Sequence, residues 1–345
     1  MPKNINILYW SMSPYLPRFE GTSKEIAILR ANNPGWVISP PGSFGHYGWD
    51  DAPSVRWLGW KLNPAYQWYL LKSQIGLRRC DLVHIFSWRI QYKQWMMNLN
   101  KPIVYTTVAE SREQFGKEEE KVLKKIKSLV VSDIDDLNFF KKHSSCRVDL
   151  IRPGVERLNI DPPPLRPFTI LMASAPWKKE HFSQKGIDLI LEAARALPEI
   201  RWIFLWRGKY RDLLNDMIKQ AGVLDRIKII DRVVPIENIL PDVHSVAGLY
   251  ISAPGIKSYP HSLLESIAAA RPVIITDNIS LSGIVSKTDC GILIKPRIDD
   301  LIKGLKELIE RYKSLKHNCD DVVNKYFSSK YSADKYLGIY RDIMS

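Results

Sequence analysis

Short apolar runs alternate along the whole chain with longer stretches in which apolar residues recur every third or fourth position. In the first half the short runs predict strands at Ile5–Trp10, Trp36–Ser39, Leu82–Phe86, Ile103–Thr107, Leu129–Val131 and Val148–Ile151. The periodic stretches Thr22–Ala31, Ala65–Leu77, Gln91–Asn98 and the highly charged Glu118–Lys127 predict helices. This alternation is the mark of an α/β fold, a doubly wound parallel sheet with helices on both faces. Asp161-Pro162-Pro163-Pro164-Leu165-Arg166-Pro167 fits neither period, and its consecutive prolines predict a stiff linker. The alternation then resumes with strands at Phe168–Met172, Trp202–Trp206, Ile227–Ile230, Leu249–Ser252, Val273–Thr276 and Gly291–Leu293. Helices are expected at Gly186–Leu197, Leu213–Ala221, Ser262–Ala270 and Ile298–Tyr312, with a last, aromatic-bearing one from Ala333 to Met344. The reading is a first domain over residues 1–160, the linker 161–167, a second domain over 168–328 and a terminal segment 329–345, without internal repeats.

The 345 residues suffice for two medium domains, and 45% hydrophobic with 25% charged residues excludes a disordered chain. No run reaches the roughly 18 apolar residues of a spanning helix. Met1-Pro2-Lys3-Asn4 leads into a strand rather than a signal-peptide core, so a cytoplasmic protein is expected. Cys80, Cys146, Cys290 and Cys319 are scattered without metal-ligand spacing, which predicts reduced thiols and no zinc site. With 50 Lys+Arg against 37 Asp+Glu, the net charge of +13 favours a polyanion: nucleic acid, anionic lipid head groups or a diphosphate-bearing ligand. No helix-turn-helix, RNP or zinc-finger pattern accompanies the charge, so nucleic acid is not the expected partner.

The segment Lys257-Ser258-Tyr259-Pro260-His261-Ser262-Leu263-Leu264-Glu265 joins a strand to a small-residue helix, and Pro272 opens another strand. A helix N-terminus at the carboxyl ends of a parallel sheet receives phosphate, and a carboxylate beside it holds ribose hydroxyls. In spacing the segment resembles the donor signature of family 4 glycosyltransferases, Glu-Gly-Phe/Tyr-Gly/Pro-x-x-Leu-Leu-Glu-Ala-x-Ala-x-Gly-x-Pro-Val. Glu265, Ala268 and Pro272-Val273 fall in register, whereas Lys257, Ser258 and Ala270 replace the first glutamate and two glycines. The first glutamate touches the transferred sugar in that family, so its replacement bears on sugar choice and on activity. Glu265 has a second reading, because Ser262-x-x-Glu265 also spells a capping box.

The resemblance implies the GT-B fold, two Rossmann-like halves facing a cleft, with the terminal helix crossing back to the first. Lys185-Gly186-Ile187-Asp188 looks like the family's Lys-Gly-x-Asp helix start, which implies Lys185 on the donor diphosphate with Gly186 beside it. The family's arginine ahead of that lysine is missing, and Arg207, next to Gly208, is its candidate replacement or else a surface ion-pair residue. Glu20-Gly21-Thr22-Ser23 matches the family's acceptor-side glycine loop, in which Thr22 or Ser23 can also cap the next helix. Val108 occupies the place of a cleft histidine, with Glu110 two residues on. His84, on an apolar strand, reads as a core histidine. Asp133-Ile134-Asp135 spells a metal-binding D-x-D, but Ser132 is a ready N-cap and the acids then sit in the first turn of a helix, so no metal site is expected. Between His46 and Trp95 six tryptophans interleave with seven Arg and Lys residues, a pattern suited to an acceptor or a membrane interface.

These readings converge on a retaining, metal-independent transfer from a UDP-, GDP- or ADP-sugar to a glycan or lipid-linked acceptor. Lys185, Arg207 and Glu265 would be central, with Gly186, Gly208, Lys257, Ser258, Tyr259, His261, Ser262 and Leu264 around the donor and Gly21, Thr22 and Glu110 toward the acceptor. The donor is a co-substrate and no cofactor is expected; peripheral contact with an anionic membrane is. The alternatives are a GT-B-shaped binding protein without transfer chemistry, motivated by Lys257 and Val108, and a basic nucleic-acid-binding protein.

Overall fold

In the computed structural model the described residues are 5–11, 15–18, 20–39, 55–57, 60–62, 64–87, 99–108, 115–173, 176, 178–206, 210–232, 234–251 and 259–345. The chain divides into two units, Met1–Gly154 with Ser329–Ser345, and Val155–Ser328. The division precedes the proline-rich segment because the residues leading into that segment are anchored in the second unit. Val155 pairs with Ser328, the Leu158 N–H donates to the Ala268 carbonyl at 2.9 Å, and Leu158 and Ile160 pack on that unit's core.

The first unit runs β1 (Ile7–Ser11), α1 (Gly21–Asn32), β2 (Gly35–Ile38), the hairpin β3 (Val55–Trp57) and β4 (Trp60–Leu62), then α2 (Pro64–Arg79). It continues with β5 (Leu82–Ser87), β6 (Ile103–Thr107), α3 (Lys117–Leu123), β7 (Ser128–Val131), α4 (Ile134–His143) and β8 (Arg147–Leu150). Six strands form one parallel sheet in the order β2-β1-β5-β6-β7-β8. Helices cover both faces, so the inner strands are buried along their length, which is why they read as unbroken apolar runs. Alternate residues serve opposite faces: Leu8 and Trp10 pack with Phe140, while Ile7 and Tyr9 pack with Ile26, Tyr336 and Tyr340.

The second unit runs β9 (Phe168–Met172), α5 (His181–Gln184), α6 (Ile187–Ala196), β10 (Ile200–Leu205), α7 (Arg211–Gln220) and β11 (Ile227–Ile230). Two 3₁₀ turns lead to β12 (Ser245–Gly248), α8 (His261–Ala268), β13 (Val273–Thr276), α9 (Ser282–Thr288), β14 (Gly291–Ile294), α10 (Ile298–Glu310), α11 (Tyr312–Asn318) and α12 (Val322–Tyr326). Its six strands are also parallel, in the order β11-β10-β9-β12-β13-β14. The final helix, α13 (Ser329–Met344), belongs to the first unit, where Tyr336, Ile339 and Tyr340 enter the core.

The structure corrects four local expectations. β12 spans Ser245–Gly248 rather than Leu249–Ser252, because the small residues let α8 press against the strand: a Cβ on Gly248 would meet Leu263 Cδ1 at 2.7 Å. Glu20, not Thr22 or Ser23, caps α1, its carboxylate accepting the Ser23 N–H at 2.7 Å. Asp133 rather than Ser132 caps α4, accepting the N–H groups of Asp135 at 2.8 Å and Asp136 at 3.3 Å, so one acid of the D-x-D serves the helix. The expected helix Ile298–Tyr312 ends at Glu310, where Arg311 caps it and pairs with Glu307 and Asp289. The predicted helix Gln91–Asn98 lies outside the described residues.

Candidate functional site

In the second sheet the chain leaves β9 toward β10 and β11, then returns to β12 on β9's other side and continues to β13 and β14. The order reverses between β9 and β12, and ligands of open α/β sheets bind outside the carboxyl ends of strands at such a point. Two segments flank it, one from Met172 to α6 and one from Gly248 to α8.

The first carries Lys185, which closes α5, and Gly186, whose left-handed φ of +65° turns the chain into α6. The turn is fastened to the neighbouring strand's continuation, since the Ile251 N–H donates to the Gln184 carbonyl at 2.8 Å. Lys185 is only 6% exposed, and burial pulls its ammonium down to about 8. A desolvated ammonium gains more from an arriving anion than a surface lysine does. Burial, with the Lys185 charge added to it, lowers the His181 imidazole.

The second segment is fixed to the end of β13. The Tyr250 N–H donates to Thr276 Oγ1 at 3.1 Å, and Asn278 Nδ2 donates to the Tyr250 carbonyl at 2.7 Å. Sequence reasoning does not single out Thr276 and Asn278. The available signal is their place, polar residues at the carboxyl end of a strand that is otherwise Val273-Ile274-Ile275. Helix α8 then begins at His261 with Pro260 as its N-cap. Ser262 is its second residue, so the Ser262–Glu265 capping box does not form; Glu265 lies one turn into the helix and is 8% exposed.

The other expected donor residues divide by environment. Tyr259 and Leu264 are buried in the unit's hydrophobic core, Tyr259 with its ring 5.6 Å from that of Phe327, while His261 and Ser262 are half-buried at the helix start. Arg207, Gly208, Lys257, Ser258 and Glu110 lie outside the described residues. In the first unit Gly21 opens α1 and Thr22 is buried behind it, following the carboxyl end of β1. That sheet's order reverses between β1 and β5, giving α1 the position that α6 has in the second sheet. Glu25, which the sequence patterns do not mark, has its carboxyl pushed up to about 8 by burial and by Glu20. Val108 packs partly buried on the core of this unit. His84 is fully buried, as its apolar strand predicts, with Nδ1 2.6 Å from Tyr340 Oη and Nε2 2.8 Å from Thr106 Oγ1. Among the described residues no cluster of three or more His, Cys, Asp or Glu could hold a metal ion.

Residues 178–321, which include Lys185-Gly186 and the segment from Gly248 to α8, match the family model described as glycosyl transferases group 1. Solved structures resemble the whole chain at low identity, where the likeness establishes the fold. The Anabaena protein Alr3699/HepE, solved in complex with UDP and glucose, superposes with a TM-score of 0.72 at 13% identity, over 98% of this chain and 100% of that one. Sucrose-phosphate synthase from Thermosynechococcus elongatus gives 0.69 at 13%, over 98% and 99%. A glycosyltransferase from Rickettsia africae ESF-5 gives 0.69 at 16%, over 99% of each chain. No curated protein sequence matches the chain. The protein has the GT-B fold, and residues 178–321 of its second unit match the glycosyl transferases group 1.

Proposed function

We propose that this glycosyltransferase moves a sugar from a nucleotide-sugar donor to a glycan or lipid-linked acceptor, with retention of configuration and without a metal ion or resident cofactor. The observation that carries the reading is Lys185, a buried ammonium at the reversal point of the second sheet, next to the start of α6. A donor diphosphate there would restore favourable electrostatics to a charge that burial disfavours. Charge grows on the leaving diphosphate as the glycosidic bond breaks, and a cation already in place stabilises it without a metal. Glu265, one turn into α8, is assigned to the ribose hydroxyls, with His261 and Ser262 presenting the helix start toward the distal phosphate or sugar. Arg207 would add a second cation. The acceptor hydroxyl, brought by the first unit near Gly21, Thr22 and Glu110, bonds to the anomeric carbon on the face the diphosphate leaves, and its proton passes to a diphosphate oxygen. The UDP and glucose in the HepE structure support a nucleotide-sugar donor; UDP, GDP and ADP are the candidates. The reaction is assigned to the cytoplasm, at the cytoplasmic face of a membrane.

Thermal-shift measurement with UDP, GDP and ADP and their glucose and N-acetylglucosamine conjugates tests the donor assignment, because a ligand at a hundredfold excess over its Kd stabilises by roughly 2.7 kcal/mol. One base should stand out, and Glu265→Gln should weaken that nucleotide while leaving the unliganded melting point within about 1 °C of the parent. No response to any nucleotide would overturn the donor site. Binding without turnover on any glycan or lipid extract would instead identify a protein that keeps the fold and has lost transfer.

A further inference from the structure

The carboxyl-terminal half of helix α2 packs on the first sheet through Gly76 and Leu77. A Cβ on Gly76 would lie 2.9 Å from Leu8 Cδ1, and Cys80, just beyond the helix, is buried. The opposite arc of a surface helix is ordinarily charged and polar. Here Trp68 is 57% exposed, Leu71 50% and Ile75 37%, and their spacing places them along one face. Lys72 lies over the Trp68 ring at 5.2 Å, and Arg79, a turn beyond Ile75, lies over Trp36 at 5.7 Å. Trp36 is itself exposed on the edge strand β2, so it extends the apolar strip sideways. From Ala52 to Cys80 the chain carries Arg56, Lys61, Lys72, Arg78 and Arg79 and no Asp or Glu.

Two features of this face select its partner. Exposed indole and aliphatic side chains gain by leaving water, and cations set directly among them call for negative charge at the same depth. A second copy of the chain, docked through the same face, would bring these cations against themselves. A neutral glycan would use the rings and leave the charges unanswered. The head-group layer of an anionic bilayer satisfies both, taking the rings at the acyl boundary and the ammonium and guanidinium groups at the phosphates. We infer that the outer face of α2, with Trp36, is a docking surface for an anionic lipid bilayer, on which the helix lies flat. No helix among the described residues is long and apolar enough to cross a membrane, so the contact is peripheral. The inference specifies the surface behind the membrane contact proposed above, and it is independent of the donor site, which belongs to the other unit.

Flotation of the full chain with phosphatidylcholine vesicles, with and without phosphatidylglycerol, tests it. The protein should float with the anionic vesicles and remain behind with the neutral ones, and added salt should release it. Trp68→Ser, Leu71→Ser and Ile75→Ser combined should lower partitioning at least about tenfold, and Lys72→Glu with Arg79→Glu should abolish the preference for anionic lipid. All five side chains are exposed, so an unchanged melting point and an unchanged thermal shift with nucleotide should show that the variants fold. Equal flotation with neutral and anionic vesicles, or a triple variant that floats like the parent, would overturn the assignment. So would a dimer in lipid-free solution that the triple variant abolishes, since the face would then belong to a second copy.

Discussion

Gly186 approaches Leu249 so closely that a Cβ on the glycine would sit 2.9 Å from the leucine Cβ. The glycine also holds φ at +65°, so two independent constraints exclude a side chain at the turn that follows Lys185. The left-handed conformation alone costs an alanine about 1–2 kcal/mol, and the contact with Leu249 adds to it. Gly186→Ala should therefore lower the urea-unfolding free energy by about 2 kcal/mol or more. It should also weaken nucleotide binding, because relieving the contact moves the turn away from the strand that positions it. Parent-like stability and affinity would show that the turn is not held by Leu249.

The buried Lys185 ammonium predicts a pH dependence with a definite sign. Its folded value of about 8 lies below the ordinary lysine value of 10.5, so the unfolded chain binds more protons between those limits. Stability should then rise with pH from about 8 to 10.5, by up to about 3 kcal/mol from this group. Nucleotide affinity should run the other way and fall as the lysine loses its proton. Lys185→Met should remove both slopes, stabilise the unliganded protein below pH 8 and bind nucleotide weakly throughout. Chemical unfolding and calorimetric titration across that range measure the two. A slope that survives in Lys185→Met would belong to another group.

The parallel architecture is legible in the sequence because strands buried on both faces must be apolar without interruption. Ile103–Thr107, Phe168–Met172 and Val273–Thr276 accordingly stand where their runs place them. β12 is not legible, since Ser245-Val246-Ala247-Gly248 is chosen by the closeness of α8, a tertiary fact, and the bulkier Leu249-Tyr250-Ile251 draws the local reading away. The same limit governs the candidate site. Lys185-Gly186 has a recognisable local pattern, but whether Glu265 caps a helix or lies inside one depends on where α8 starts, and Pro260 decides that by taking the N-cap position. Glu25 carries no local signal, because its raised carboxyl depends on burial and on Glu20 across the first turn of α1.

The end of α8 supplies a third prediction. The Arg271 N–H donates to the Ser266 carbonyl at 2.8 Å and the Ala270 N–H to the Ile267 carbonyl at 3.0 Å, the pair of bonds that closes a helix through a left-handed residue. Ala270 is that residue, at φ +52°, and its position matches a glycine in the family 4 signature that this segment resembles. Ala270→Gly should relieve the Cβ strain and raise the unfolding free energy by about 0.5–1 kcal/mol, part of the gain being offset by the greater freedom of glycine in the unfolded chain. Ala270→Val should lose more than that. A destabilised glycine variant would mean that the half-buried methyl contributes more to packing than the backbone conformation costs.

In the first unit, His84 fastens the last helix to the sheet. Its two ring nitrogens meet Tyr340 Oη at 2.6 Å and Thr106 Oγ1 at 2.8 Å, and Thr106 Oγ1 in turn lies 3.1 Å from Tyr336 Oη. Complete burial holds the imidazole well below its ordinary 6.5, so it is neutral in the folded protein at pH 7. Above 6.5 both folded and unfolded chains carry it neutral, and nothing changes with pH. Below 6.5 the unfolded chain takes up a proton that the folded one refuses, and stability should fall as the pH drops. His84→Leu should remove this group's share of the acid sensitivity while lowering stability at neutral pH, because the Tyr340 and Thr106 hydroxyls lose a partner. Tyr340→Phe should cost about 1–2 kcal/mol at neutral pH and loosen α13 before the rest of the unit. Hydrogen exchange of the α13 amides, followed at neutral pH and again below 6.5, separates these effects. Exchange that stays slow in Tyr340→Phe would mean that apolar packing by Ile339 and Ala333, rather than the hydroxyl on His84, holds the helix in place.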